Sequence, residues 1–163
     1  MVNEDYFYLD HAATTPLREA AFEAFKYAEI EAFANSSGGH SLSRKAKNLL
    51  EESREVIANY FGAAPSEVTF TSGGTEADNW IIKSSFQSKL SDKSELITTK
   101  IEHEAVLSSA EWVHENGNIV HFVSSDSNGV VNTHELLSKV NDNTKLVSVM
   151  FANNETGVVQ PIK

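Results

Sequence analysis

The sequence predicts an α/β domain built on a mostly parallel sheet flanked by helices. Three observations lead there. Short β-type runs alternate with segments whose apolar residues recur at helical spacing, an order that suits right-handed β-α-β crossovers. Several of the β-type runs lead straight into polar or glycine-rich stretches, as strands do where a parallel sheet collects ligands beyond its carboxyl ends. The composition, 163 residues with 40% hydrophobic and 22% charged, suits one soluble domain with a buried core.

The first expected element is a short β-like run, Tyr6 to Leu9, ending in a loop from Asp10 to Pro16. Leu17 to Phe33 follows as a helix, with Ala21, Ala24, Phe25 and Ala28 at helical spacing. The polar cluster NSSGGH, Asn35 to His40, breaks that pattern, and a loop of this kind either lines a site or merely links two helices. The next helix is the clearest in the chain. Ala46, Leu49, Leu50, Ile57, Tyr60 and Phe61 form one apolar stripe, and Gly62 can end it.

Glu67 to Thr71 alternates and is rich in β-formers, as a strand is, while Thr75 to Phe86 reads as a helix. Between them stand Gly73 and Gly74. Glycine lets the backbone turn sharply and approach a ligand, and the first turn of a helix carries amides without internal partners. With the positive end of the helix dipole, those amides favour a phosphate, and Thr75 can add its hydroxyl. The spacing of Thr75 and Asp78 also fits a variant capping box, which would leave a plain strand, turn and capped helix.

Glu95 to Thr99 is the next expected strand, and His103 falls at the mouth of a helix covering Val106 to Glu115. That puts His103 on the same rim as Gly74 and Thr75 if the two strands run the same way; the alternative is a capping or surface histidine. Ile119 to Val123 is a further strand, Ser127 to Gly129 a turn, and Asn132 to Val140 a short helix. Lys145 to Phe151 reads as a buried strand that runs into ANNETG. Asn153 and Asn154 then lie at the carboxyl end of a core strand, where an amide can bond a ligand, or they form a simple Asn-rich turn.

Charge and missing motifs narrow the function. A formal net charge of -10 without a basic stripe argues against nucleic acid as a partner. The absence of cysteine excludes a disulfide framework and any thiol nucleophile within these residues. MVNEDYFYLD has neither the basic leader nor the apolar core of a signal peptide, and no run approaches a membrane span, so a cytoplasmic protein without a membrane partner is expected. The sequence contains no P-loop, no G-x-G-x-x-G after a strand, no H-E-x-x-H and no G-x-S-x-G. Six histidines and many acids could make a metal site only through tertiary contacts, so none is expected.

Four segments in order and spacing, YLDHAATTP, FTSGGTEADN, IEHEAVL and VMFANNETGVVQPI, resemble the amino-terminal part of cysteine desulfurases of the NifS/IscS type. These belong to the class V aminotransferase group of fold-type I pyridoxal-phosphate enzymes. The resemblance runs from Tyr6 to Ile162, and FTSGGTEADN is closer to the NifS/IscS branch than to the selenocysteine-lyase and SufS branch.

The resemblance implies roles residue by residue. Gly74 and Thr75 match the residues that hold the phosphate of pyridoxal 5'-phosphate. His103 matches the catalytic histidine that stacks on the pyridine ring, where an imidazole also suits proton transfer. Asn154 matches the asparagine that bonds near the ring's phenolic oxygen and the substrate. The loop from Asn35 to His40 matches a substrate-side loop usually written N-P-S-S-x-H; here Ser36 takes the proline place, and Ser43 stands where the family usually has glycine.

By the same resemblance, residues 1–163 form an incomplete cofactor-binding domain, the front of the large domain of such an enzyme. The family's Schiff-base lysine, the aspartate paired with the pyridine nitrogen and the persulfide-forming cysteine correspond to positions beyond Lys163. None of the ten lysines present lies in a matching motif. The expectation is therefore the amino-terminal portion of an enzyme that turns L-cysteine into L-alanine, passing sulfur through an enzyme persulfide to iron-sulfur cluster or thiolated-RNA synthesis. A homodimer when full length and a sulfur-acceptor or iron-sulfur scaffold protein as partner are implied, and the chain alone is expected to be inactive. The competing readings are a non-catalytic truncated product or partner-binding remnant, and part of another class V aminotransferase.

Overall fold

The computed structural model describes residues 7–87 and 94–162. The chain divides into two compact units, Met1–Phe70 and Thr71–Lys163.

The first unit is helical. Helix α1 spans Glu19–Glu31 and helix α2 spans Ser41–Phe61. Gly62 ends α2 in the left-handed conformation at φ 67°, and its amide returns to the Ala58 and Asn59 carbonyls, which fits the expected glycine stop. After a single 3-10 turn at Pro65–Glu67, the chain leaves extended at Val68. Arg54 holds that run in place: its guanidinium donates to the Val68 carbonyl at 2.5 Å and stacks 4.9 Å from the Phe70 ring centre.

Two expected strands are corrected here. Residues 7–9 pair with nothing among the described residues, and Tyr6 lies outside them. Glu67 to Thr71 is likewise no strand; Glu67 closes the 3-10 turn, Val68 is extended, and Val68 to Thr71 joins no ladder among the described residues. Side-chain alternation sets an extended backbone, but a strand also needs a neighbour to pair its amides.

The second unit is the α/β part. It contains α3 (Gly74–Phe86), β1 (Glu95–Thr99), α4 (Glu104–Glu115), β2 (Ile119–Val123), α5 (Thr133–Lys139) and β3 (Thr144–Val147). The strands form one parallel sheet in the order β2-β1-β3, as the fold class requires. β1 is central and every residue of it is buried, the pattern of a strand covered on both faces. Leu96 packs on one face with Ile82, Phe86, Val106, Ala110 and Val113 of α3 and α4. Ile97 packs on the other with Val123 and Val131, against Leu136 of α5.

β3 is shorter and less buried than the expected Lys145 to Phe151 strand. Its burial alternates between half-buried and exposed, so one of its faces is covered and the other is open. The chain leaves β1 for β2 on one side and then crosses back to β3 on the other. β1 is thus the point where the winding reverses, and in open parallel sheets ligands bind beyond the strand ends at such a point.

Candidate functional site

Gly73 precedes α3 at φ 159° and ψ −178°, a backbone region open essentially to glycine. A Cβ added at Gly73 or Gly74 would meet nothing within 4 Å, so the ground in front of the helix is open. The amides of Gly74, Thr75 and Glu76 find no acceptor among the described residues, and the same holds for the Thr75 hydroxyl. Free amides, a helix end and open space together fit a phosphate.

The Thr75–Asp78 capping box that the spacing also allowed is absent, since Gly73 is the cap and no side chain caps the helix. The loop is held instead by Glu76, whose carboxylate folds back to accept the Ser72 amide at 2.6 Å, and by the Thr71 hydroxyl, which donates to the Gly73 carbonyl at 3.1 Å. Accepting the Ser72 amide holds the Glu76 carboxyl below the usual carboxylate range.

His103 caps α4: its Nδ1 accepts the Ala105 amide at 3.1 Å. The capping role is therefore present, and it carries a chemical consequence. A neutral ring that accepts at Nδ1 must bear its proton at Nε2, and Nε2 has no partner among the described residues. The residue is exposed.

Asn153 builds the turn after β3. Its Oδ1 accepts the amides of Glu155 (3.0 Å) and Thr156 (2.8 Å) and the Thr156 hydroxyl (3.0 Å). Its Nδ2 donates to the Ile101 carbonyl at 2.9 Å. With its neighbour so engaged, Asn154 is left exposed, and its side chain makes no hydrogen bond among the described residues.

Two of these segments are joined at one rim. The loops after the parallel strands β1 and β3 are joined by the Asn153 bond and by the Met150 amide, which donates to Glu102 at 2.8 Å. α3 packs against α4, the helix that His103 caps. Burial pushes the Glu102 carboxyl above its ordinary range; the bonds from Met150 and Thr99 oppose this, and Asp78 adds to the rise. Glu102 and Glu76 are the residues that the sequence did not single out for these roles. Asn153 takes the turn-building role that the sequence offered as the alternative to bonding a ligand.

The loop from Asn35 to His40 belongs to the first unit and is tightly built. His40 caps α2, accepting the Ser43 amide at 3.3 Å, and its Nε2 lies 3.0 Å from the Ser43 hydroxyl oxygen. A Cβ on Gly38 would fall 2.3 Å from that oxygen. Among the described residues no group of histidines and carboxylates could hold a metal ion, and no helix is long and apolar enough to cross a membrane.

Residues 7–163 match the Aminotransferase class-V family. The chain is 40% identical to Cysteine desulfurase IscS of Methanosarcina thermophila over 156 residues, which cover 96% of this chain and 39% of that protein. It is 42% identical to an IscS-like cysteine desulfurase of Mycobacterium tuberculosis over 161 residues, 95% of this chain and 41% of that protein. Among solved structures, a NifS-like protein superposes with a TM-score of 0.88 at 39% identity, over 92% of this chain and 41% of that one. A structure of SspA in complex with cysteine gives 0.87 at 35% identity, over 93% of this chain and 44% of that one. The chain thus spans about two-fifths of the length of the relatives it matches.

Proposed function

The chain belongs to the class V aminotransferase family, and from that premise we propose that it is the amino-terminal portion of a pyridoxal-phosphate-dependent cysteine desulfurase of the NifS/IscS type. In this reading residues 1–163 are the front of the cofactor-binding domain of a cytoplasmic homodimer. The complete protein turns L-cysteine into L-alanine and passes the sulfur, through an enzyme persulfide, to an acceptor or iron-sulfur scaffold protein. What supports the reading is identity of about 40% to IscS enzymes, together with the joining of the His103 loop to the Asn153–Asn154 turn and the free amides at the start of α3.

Each residue has a task in this reading. The amides of Gly74 and Thr75, with the Thr75 hydroxyl, hold the phosphate. His103 packs on the pyridine ring and holds a proton at Nε2, the nitrogen left over by its capping bond. Asn154 donates near the phenolic oxygen. Bound pyridoxal phosphate supplies electron withdrawal from the substrate's α-carbon. The lysine, the aspartate and the cysteine of the family's reaction must come from outside these residues, which contain no cysteine.

The test is binding and turnover in the intact native protein. Thr75→Ala is expected to weaken pyridoxal-phosphate retention by about tenfold, the worth of one hydrogen bond, as read by absorbance titration. His103→Ala is expected mainly to slow alanine formation from L-cysteine. Unchanged occupancy and rate in the two variants would sink the site assignment. The intact mass of the native gene product bears on the whole reading: a value well above 17.9 kDa supports it, whereas 17.9 kDa itself requires a second polypeptide or ends it.

A further inference from the structure

The loops that carry His103 and Asn154 are fastened by a buried carboxylate to which the reading above gives no task. Glu102 is 7% exposed, and a single oxygen, Oε1, accepts both the Thr99 hydroxyl and the Met150 amide, each at 2.8 Å. Thr99 closes β1, and Met150 lies in the loop after β3. The residue before Glu102, Ile101, accepts the second cross-loop bond from Asn153 at 2.9 Å. The residue after Glu102 is His103, and the residue after Asn153 is Asn154. Both proposed ring contacts thus sit one peptide away from a cross-loop bond.

Burying a carboxylate costs hydration, so an acceptor at this place has to return more than local packing would. We propose that Glu102 is a positioning residue, a latch that fixes the His103 loop against the Asn153–Asn154 loop and so sets the spacing of the histidine and the amide on the cofactor. This rests on the reading that those two side chains face pyridoxal phosphate. Because both bonds end on Oε1, glutamine can keep them and alanine cannot.

The experiment compares Glu102→Ala, Glu102→Gln and Val113→Ala in the intact native protein. Val113 is fully buried between α4 and β1, so its truncation loosens the sheet without touching the latch. Hydrogen exchange at the Met150 amide reads the latch, and pyridoxal-phosphate titration reads its effect. The expected result is that E102A loses the Met150 protection and about tenfold in affinity. E102Q keeps both, and V113A keeps its affinity at a comparable loss of thermal stability.

Equal affinity losses in E102A and V113A, or an E102Q that behaves like E102A, would overturn the proposal. If E102A does not fold, Thr99→Val removes one of the two donors and must show the same contrast at smaller amplitude. If the unsubstituted protein binds no pyridoxal phosphate, the proposed function falls. Exchange at Met150 in E102A and E102Q then decides the latch alone.

Discussion

Glu95 at the start of β1 and Glu102 just past its end are both largely buried, yet they are pushed in opposite directions. Glu95 accepts Asn141 Nδ2 at 3.0 Å and lies 2.8 Å from His121 Nε2, and these two partners hold its carboxyl below the ordinary value of 4.5. Its contribution to stability is present above the ordinary value and is lost as pH falls through the lower folded value. Glu102 has the reverse sign: burial raises it, so its contribution is full below the ordinary value and is lost as pH rises through the folded one. Denaturant titrations from acid to neutral pH should therefore separate the two. Glu95→Gln is expected to remove part of the acid-side decline. Glu102→Gln is expected to be at least as stable as the unsubstituted protein at neutral pH, because it keeps the Oε1 acceptor and removes the buried charge. Glu102→Ala should cost about 1–3 kcal/mol, since it leaves the Met150 amide and the Thr99 hydroxyl unpaired. An E102Q protein markedly less stable at neutral pH would contradict the argument.

At the scale of elements, the Asn35 to His40 loop has a local logic. Ser43 is fully buried and engaged by His40, and it leaves no room for a side chain at Gly38. Gly38→Ala should destabilise α2 and its loop, and Ser43→Gly should relieve much of that penalty, giving a coupling of about 0.5–3 kcal/mol in a double-mutant cycle. Additive effects would mean that the two positions are independent. Elements set by local pattern were legible in the sequence: α2 with its Gly62 stop, α3 behind the glycine pair, and the order β1-α4-β2-α5-β3. Glu67 to Thr71 misled because extended propensity is local while pairing is not, and β3 was overextended for the same reason. The site divides in the same way. Gly74, Thr75, His103 and Asn154 could be named from motifs, because each follows a turn signal at an element's start or end. Glu102 could not, since its partners are Thr99 and a Met150 amide reached only when the sheet forms. Glu76 was hidden because a first-turn acid can either face solvent or fold back, and only the loop geometry decides.

At the scale of the whole molecule, burial is uneven. β1 is sealed, but β2 and β3 flank it as the two margins of a three-stranded sheet, each with one edge unpaired among the described residues. Open edges and exposed apolar surface both favour association over a solitary folded state. α1 has no buried residue, and its Phe22, Phe25 and Ile30 are each more than half exposed. Leu137 of α5 and Phe151 after β3 are 67% and 64% exposed. Such side chains contribute little to folding, because the apolar area withdrawn from water is what stabilises, at roughly 25 cal/mol per Å². A chain of 163 residues that leaves so many large apolar groups in water is expected to be marginally stable by itself. Expressed as these residues alone, it should unfold over a broad range in calorimetry, with a midpoint that shifts with protein concentration. Light scattering should report species heavier than 17.9 kDa. A sharp, concentration-independent transition of a monomer would contradict this, and would mean that the α1 and α2 side chains and the sheet margins are stable in water as they stand.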